Sequence, residues 1–165
     1  MYKKILVPLD GSPLSEKVLP HAQALAKSEG AEIILLSVPV TPNLEFMART
    51  PGLADIVIED SEKETRAYLD KETTLLKEEG AKVTSIMREG PIPEVILKVA
   101  DEIHADMIAM STHGRSGIQR WLMGSVADRV VHHAHILVML YIHSARTNCS
   151  PPRQLNKQAN GLPSL

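Results

Sequence analysis

The sequence predicts a single α/β domain built on an open parallel sheet with helices on both faces. Short, almost fully apolar runs alternate along the chain with longer segments that place apolar residues at helical spacing. Strands that are apolar throughout must be buried on both faces, and right-handed crossovers between parallel strands provide that cover. A chain of 165 residues also has the length of one domain whose core is stable without disulfides.

Five apolar runs are predicted as strands. They span Lys3–Leu9, Glu32–Val38, Val83–Arg88, Asp106–Ser111 and Ile136–Ile142. The third run alternates in part between apolar and polar residues, so we expect one partly exposed face and a position at an edge of the sheet. The nearly continuous apolar character of the other runs is typical of buried parallel strands.

The first helix is predicted from its start signals. Ser12 is a suitable N-cap, and Pro13 takes the first helical position, where a missing N–H costs no helical bond. Pro20 interrupts the pattern because it removes a donor and clashes with the preceding turn. We therefore expect either a kink at Pro20 or a helix that effectively begins later, and Gly30 ends it.

Three further helices are expected. They cover about residues 55–79, the segment opened by Pro93, and residues 125 to about 133. Between the second strand and residue 55 we predict a long surface loop, because proline and glycine disfavour regular structure there. The residues concerned are Pro39, Pro42, Pro51 and Gly52.

Composition excludes several classes of function. The chain has one Phe, one Trp and three Tyr, too few platforms for stacking on single-stranded nucleic acid, and a net charge of −2. Lys and Arg form no basic block, so nucleic acid is not an expected partner.

No apolar run approaches the roughly 20 residues that span a bilayer, so no membrane partner is expected. A single cysteine, Cys149, and no secretory pattern predict a cytoplasmic location.

The C-terminal residues differ from the rest of the chain. Residues 143–165 have no apolar period and contain two adjacent prolines and many small polar residues. We predict a folded domain over residues 1–142 and a flexible tail over 143–165, with docking of the tail as the alternative.

A glycine-bearing segment lies between the fourth strand and the last helix. It reads Ser111-Thr-His113-Gly114-Arg115-Ser-Gly117, and after six residues it ends in Gly124-Ser125. Amides in such a turn can form a nest for an anion, and a helix N-terminus adds unpaired N–H groups and the positive end of its dipole. Gly124 lets the backbone approach a phosphate, and the Ser125 hydroxyl can bond an oxygen or help to hold a divalent cation. The segment also fits glycines that serve geometry alone and a capping box that starts at Ser125.

The segment resembles the signature of the universal stress protein family, Gly-x2-Gly-x9-Gly-Ser/Thr. Its second and third glycines match Gly114 and Gly124, and its hydroxyl residue matches Ser125. Ser111 replaces the first glycine, so its Cβ could crowd a ligand. His135 also departs from the family pattern before the last strand, where many relatives have Pro-Cys-Pro.

The resemblance extends over residues 1–141. Ile5–Ser12 is similar to the opening of the family, and Leu35–Val38 is similar to its second strand. It implies a five-stranded sheet of order 3-2-1-4-5, of the adenine nucleotide alpha hydrolase-like type, with a ligand at the switch point between the first and fourth strands.

The resemblance also implies an adenine nucleotide site. Asp10 and the backbone near Val38 would hold ribose and adenine, and the glycine segment would hold phosphates. The residues expected to bind the nucleotide are Pro8, Leu9, Asp10, Val38, Met110, Ser111, His113, Gly114, Arg115, Gly117, Gly124, Ser125, Val126 and Ala127. The expected ligand is ATP, or AMP or ADP, with Mg²⁺ held through the phosphates and Ser125.

Three functions follow from these observations. The first is an ATP-binding regulator of the stress response with little or no catalysis. The alternatives are a dimeric scaffold that binds no nucleotide and a slow ATP-hydrolysing enzyme. A homodimer through the last strand, Ile136–Ile142, is expected because an apolar edge without charges or proline invites strand addition. No protein partner can be named from the sequence.

The histidines near the last helix are not expected to bind a metal. His132 and His133 are adjacent on a helix and therefore point in different directions, and no Cys or carboxylate shares their spacing with His135.

Overall fold

The computed structural model describes residues 1–42, 44–113 and 123–142. Its strands are β1 (Lys4–Pro8), β2 (Glu32–Ser37), β3 (Lys82–Met87), β4 (Met107–Ser111) and β5 (Leu137–Tyr141). The helices of the described chain are α1 (Pro13–Glu16), α2 (Leu19–Glu29), α3 (Leu44–Arg49), α4 (Pro51–Glu78), α5 (Ile92–Glu102) and α6 (Ser125–His133). The boundary predicted at residue 142 borders residues outside this description, so the tail stays a prediction.

All five strands pair in parallel in one sheet of order β3-β2-β1-β4-β5, which confirms the predicted topology. β1 lies in the middle, where Leu6 pairs with Ile34 of β2 on one side and with Ile108 of β4 on the other. The chain thus adds strands in one direction up to β3 and in the other direction from β4. Such a reversal leaves a crevice at the carboxyl ends of β1 and β4.

Two apolar layers cover the sheet, because successive side chains of a strand point to opposite faces. Ile5 and Val7 of β1 belong to one layer, with residues of α2 and α4, and Leu6 belongs to the other, with residues of α5 and α6. These three side chains are completely buried. Burial of such a side chain is worth about 1.5–3 kcal/mol, so both layers fix the position of β1.

The first helical segment is divided in two. The Ser12 Oγ accepts the N–H of Ser15 at 3.2 Å and caps α1, which ends at Glu16. α2 begins at Leu19 with Pro20 in its first turn, where a missing N–H costs no helical bond. This confirms the later start that Pro20 predicted, and α2 ends as expected at Gly30, whose φ of 69° is left-handed.

The long surface loop predicted after β2 is wrong. Two helices occupy most of that stretch, since α3 spans Leu44–Arg49 and α4 begins at Pro51. Proline disrupts helix interiors, but at the first helical position its fixed φ suits the helix and its missing N–H would have no helical acceptor. Pro39 and Pro42 lie outside regular structure, so the irregular segment is much shorter than predicted.

β3 forms one edge of the sheet, as its alternating sequence predicted. It pairs with β2 alone, and Val83 is buried while Thr84 and Ser85 are exposed. Gly80, with a φ of 86°, takes the left-handed conformation that ends α4 before this strand. β5 forms the opposite edge.

Asp106 ties the start of β1 to the start of β4. Its Oδ2 accepts the backbone N–H groups of Lys3 at 2.7 Å and Lys4 at 2.9 Å. These two bonds favour the charged carboxylate and lower the pKa of Asp106 below its ordinary value. A carboxyl with a depressed folded pKa stabilises the fold above its unfolded pKa, and this contribution is lost as the pH falls through the folded pKa.

We expect Asp106→Ala to lower the free energy of unfolding by about 1 kcal/mol at neutral pH, because two hydrogen bonds to a partly solvated carboxylate are lost. The deficit should shrink as the pH falls below the ordinary pKa of an aspartate and the wild-type carboxyl becomes protonated. Urea unfolding over this range measures it, with Asp101→Ala at the end of α5 as the control. A deficit that does not change with pH would show that the Asp106 charge does not support the fold.

Candidate functional site

A cleft opens at the carboxyl ends of β1, β2 and β4, between these strands and the starts of α5 and α6. We call it the switch-point cleft. The structure brings together here all of the predicted site residues that lie in the described chain: Pro8, Leu9, Asp10, Val38, Met110, Ser111, His113, Gly124, Ser125, Val126 and Ala127. Gly114, Arg115 and Gly117 lie outside the described residues. The binding role of each residue stays a prediction.

Four further residues line the switch-point cleft, and the sequence did not single them out. They are Leu36, Ile92, Ile96 and Thr112. Leu36 lies two residues before Val38 and so shares its face of the strand, while Ile92 and Ile96 are one helical turn apart. These spacings could have indicated the three apolar residues, but apolar side chains at such spacings are also what a core requires.

Asp10 is held in place by the residues that start α1. Its Oδ1 accepts the backbone N–H of Ser12 at 3.0 Å and the Ser12 hydroxyl at 2.6 Å. The Asp10 N–H donates in turn to the Ser15 Oγ at 3.4 Å. These bonds fix the orientation of the carboxylate, whose acceptor character suits hydroxyl donors such as those of a sugar.

The N-terminus of α6 forms another part of the cleft wall. Gly124, not Ser125, is the N-cap residue, and no side chain of the described residues caps the helix. The capping-box alternative for Ser125 is therefore wrong. The amides of Ser125, Val126 and Ala127 occupy the first turn, where helix geometry supplies no acceptor and the dipole is positive.

Gly124 is required by its close approach to β4. Its N–H donates to Thr112 O at 2.9 Å, and a Cβ on Gly124 would lie 2.9 Å from that same oxygen. Carbon atoms do not come this near to a backbone oxygen, so any side chain would push α6 away from the end of β4.

The side chain of Arg129 also donates to Glu94 Oε1 at 2.7 Å and holds α6 against α5.

Ser111, which stands where the family signature has glycine, is 7% exposed at the end of β4. Strand alternation places its side chain on the face of Met107 and Ala109, opposite to Met110 of the cleft. Ser111 nevertheless lines the switch-point cleft, so crowding of a ligand by its Cβ stays a prediction. The Ser111 Oγ is buried without a hydrogen-bond partner among the described residues.

The histidines of α6 bond to their own helix. His132 Nδ1 lies 2.8 Å from Asp128 O, and His133 Nδ1 lies 2.9 Å from Arg129 O. Across residues 1–42, 44–113 and 123–142, no group of three or more His, Cys, Asp or Glu residues could hold a metal ion. None of the described helices is both long and apolar enough to cross a membrane.

A second cleft, the acidic cleft, lies between α4 and the ends of β1 and β2. Its lining residues are Asp10, Gly11, Ser37, Val40, Val57, Asp60, Ser61, Glu64, Thr65 and Tyr68. It encloses about 530 Å³, against about 170 Å³ for the described walls of the switch-point cleft. Size alone favours the acidic cleft. Asp10 lines both clefts, but Asp60 and Glu64 belong to the acidic cleft and would repel an anion there. The start of α6, which no described side chain caps, makes the switch-point cleft the better anion site.

The fold and the switch-point cleft define a parallel α/β protein with a ligand crevice at the reversal of its strand order. The family whose profile matches residues 1–141 is the universal stress protein family. The chain belongs to this family. It is 36% identical to universal stress protein MJ0531 of Methanocaldococcus jannaschii over 141 residues. These residues are 85% of this chain and 82% of the relative. A universal stress protein of Methanothermobacter thermautotrophicus is 34% identical over 142 residues, or 85% of this chain and 95% of the relative.

Solved structures share the fold. The structure of MJ0577 from Methanocaldococcus jannaschii superposes with a TM-score of 0.78 at 28% identity, over 88% of this chain and 99% of that one. Another universal stress protein, solved in complex with cAMP, has a TM-score of 0.65 at 24% identity over 85% of this chain and 97% of its own. One from Archaeoglobus fulgidus, in complex with dAMP, has a TM-score of 0.59 at 23% identity over 84% and 97%. At these identities the two complexes show the fold alone.

Proposed function

We propose that this protein binds an adenine nucleotide in the switch-point cleft and acts as a nucleotide-dependent regulator in the cytoplasmic stress response, with little or no catalysis. The observation that carries the proposal is the N-terminus of α6, which no described side chain caps and whose first-turn residues line the cleft beside Gly124. Such amides attract phosphate by hydrogen bonding and by the helix dipole. Nucleotide complexes of two proteins with this fold are consistent with the proposal.

The lining suggests how the nucleotide lies. Asp10 would accept the ribose hydroxyls, and the apolar wall that includes Val38 and Met110 would cover the base. The phosphates would face the amides of Ser125 and Val126, where the Ser125 hydroxyl could also share a Mg²⁺ ion with them. ATP, ADP and AMP differ only at the phosphate end, so this arrangement suits each of them.

The alternative of a scaffold without nucleotide rested on Ser111. Strand alternation turns the Ser111 side chain away from Met110 and the apolar wall of the cleft, which supports nucleotide binding over an empty cleft. The alternative of slow ATP hydrolysis has no specific observation in its favour. Both are outcomes that the binding experiment can return.

Gly124→Val tests the proposed site. The added side chain would clash with Thr112 O and displace the start of α6, so we expect ATP binding to fall below detection. Ser125→Ala should weaken binding about fivefold, the effect of losing one hydroxyl contact while the amides remain. Ser111→Gly should bind as well as the parent or better. Calorimetric titration of ATP with Mg²⁺ into the four proteins measures the affinities.

Two controls make the result decisive. Circular dichroism must show that Gly124→Val is folded, and titrations with AMP and with adenosine, which has no phosphate, separate loss of phosphate contacts from loss of the whole site. If folded Gly124→Val binds ATP as tightly as the parent, the start of α6 is not the phosphate site. If the parent binds neither nucleotide, the scaffold reading replaces ours.

We further propose that the protein forms a homodimer through β5. β5 pairs with β4 on one side, and no other described strand covers its outer edge. Leu137 is 50% exposed and Ile142 is 69% exposed, so apolar groups accompany the unpaired backbone. A two-fold axis at this edge would pair β5 with its copy. This pairing would bury the apolar groups and give the unpaired backbone groups their hydrogen-bond partners.

Leu137→Lys should convert the dimer into a folded monomer, because a charge at a strand edge opposes strand addition. Sedimentation at micromolar concentration measures the assembly. Leu53→Lys on α4 is the matched control, since Leu53 is 51% exposed and α4 packs against β2 and β3. A parent protein that is monomeric under these conditions would contradict the proposed dimer.

A further inference from the structure

Thr112 joins three segments of the fold. Its N–H donates to Tyr141 O at the end of β5 at 3.0 Å, and its carbonyl accepts the N–H of Gly124 at 2.9 Å. Its Oγ1 lies 3.0 Å from Nδ1 of His113, which lines the switch-point cleft. Thr112 is only 5% exposed, so these bonds are shielded from water. Thr112 therefore bonds, through its side chain and its backbone, to the edge strand β5, to the start of α6 and to a residue of the cleft.

The Thr112 hydroxyl has one proton to share between two neighbours. Oγ1 lies within 3.3 Å of Tyr141 O as well as 3.0 Å from His113 Nδ1. When the hydroxyl donates to the Tyr141 carbonyl, the second bond forms only if Nδ1 carries a proton. When it donates to Nδ1 instead, Tyr141 O keeps the Thr112 amide as its donor among the described residues. Whether Nδ1 of His113 carries a proton is therefore linked to whether the Thr112 hydroxyl donates to Tyr141 O of β5.

This linkage can be changed from the cleft or from β5. A ligand that contacts His113 favours one protonation pattern of the ring, and the pattern decides where the Thr112 proton goes. A partner strand that displaces the end of β5 would change which atom accepts the proton of the Thr112 hydroxyl. Two sites that bias one two-state element are coupled, and the coupling is reciprocal.

We infer that Thr112 is a positioning residue that ties the end of β5 to His113 and to the start of α6, so that the state of the β5 edge and ligand binding in the switch-point cleft alter each other. The ligand half of this inference rests on the proposed function. The positioning half rests on the bonds of Thr112 alone and can be tested without a nucleotide.

The variants are Thr112→Val, which keeps the shape but removes the hydroxyl, and Thr112→Ser, which restores it. The matched control is Thr84→Val on β3, which removes a threonine hydroxyl that donates to Glu32 Oε1 at 2.9 Å, away from the cleft. If Thr112→Val does not fold, Thr112→Ala replaces it. The probes are ATP with Mg²⁺ and AMP.

Two readouts separate positioning from a general loss of stability. The ¹⁵N resonances of the His113 ring, assigned by their loss in His113→Gln, should move in Thr112→Val without ligand and return in Thr112→Ser. Hydrogen exchange of the β5 amides should slow on addition of ATP in the parent, in Thr112→Ser and in Thr84→Val, but not in Thr112→Val. ATP affinity should fall about fivefold in Thr112→Val, as expected for one lost hydrogen bond.

The outcomes distinguish this inference from the proposed function. If the parent binds neither nucleotide but the His113 resonances move in Thr112→Val, the proposed function fails and the positioning role stands. If the parent binds ATP, and the His113 resonances and the protection of β5 are the same in Thr112→Val, the inference is overturned while the proposed function stands. Equal shifts in Thr112→Val and Thr112→Ser would also overturn it, because the hydroxyl would then not be the cause.

Discussion

The parallel pairing of β1 between β2 and β4 is the constraint on which the rest of the structure depends. Both neighbours are held by backbone bonds, and both faces of β1 are buried, so the strand has no freedom to shift. The β1–β2 pairing extends past the strand ends through Leu9 N–H and Leu36 O at 2.8 Å. The β4–β5 pairing extends likewise through Thr112 and Tyr141. The switch-point cleft is the space that these extended pairings leave at the reversal of strand order.

The donors that suit a phosphate in this cleft are main-chain groups. Backbone amides are present whatever the side chain, so the site requires space near Gly124 more than it requires particular residues. The carboxylate of Asp10 is the exception, and Ser12 fixes its orientation.

The sequence predicted some parts of this account and could not predict others. Apolar runs located the strands, but the order of the strands came from the family resemblance, since periodicity says which residues are buried and not which strands are neighbours. Pro51 misled because the same residue ends one helix and starts another, and only the residues that follow decide between them. The bonds of Thr112 depend on Tyr141, which lies 29 positions away along the chain, so no local pattern reveals them.

We propose that an adenine nucleotide binds at the switch point and not in the larger acidic cleft. The most direct measurement is a map of backbone amide chemical shifts as ATP with Mg²⁺ is added to the ¹⁵N-labelled protein. Our account predicts that the largest changes fall on Asp10, Val38 and the first turn of α6, while Asp60 and Glu64 of α4 stay unchanged. Changes confined to α4 and the acidic cleft, or no saturable change at all, would contradict it.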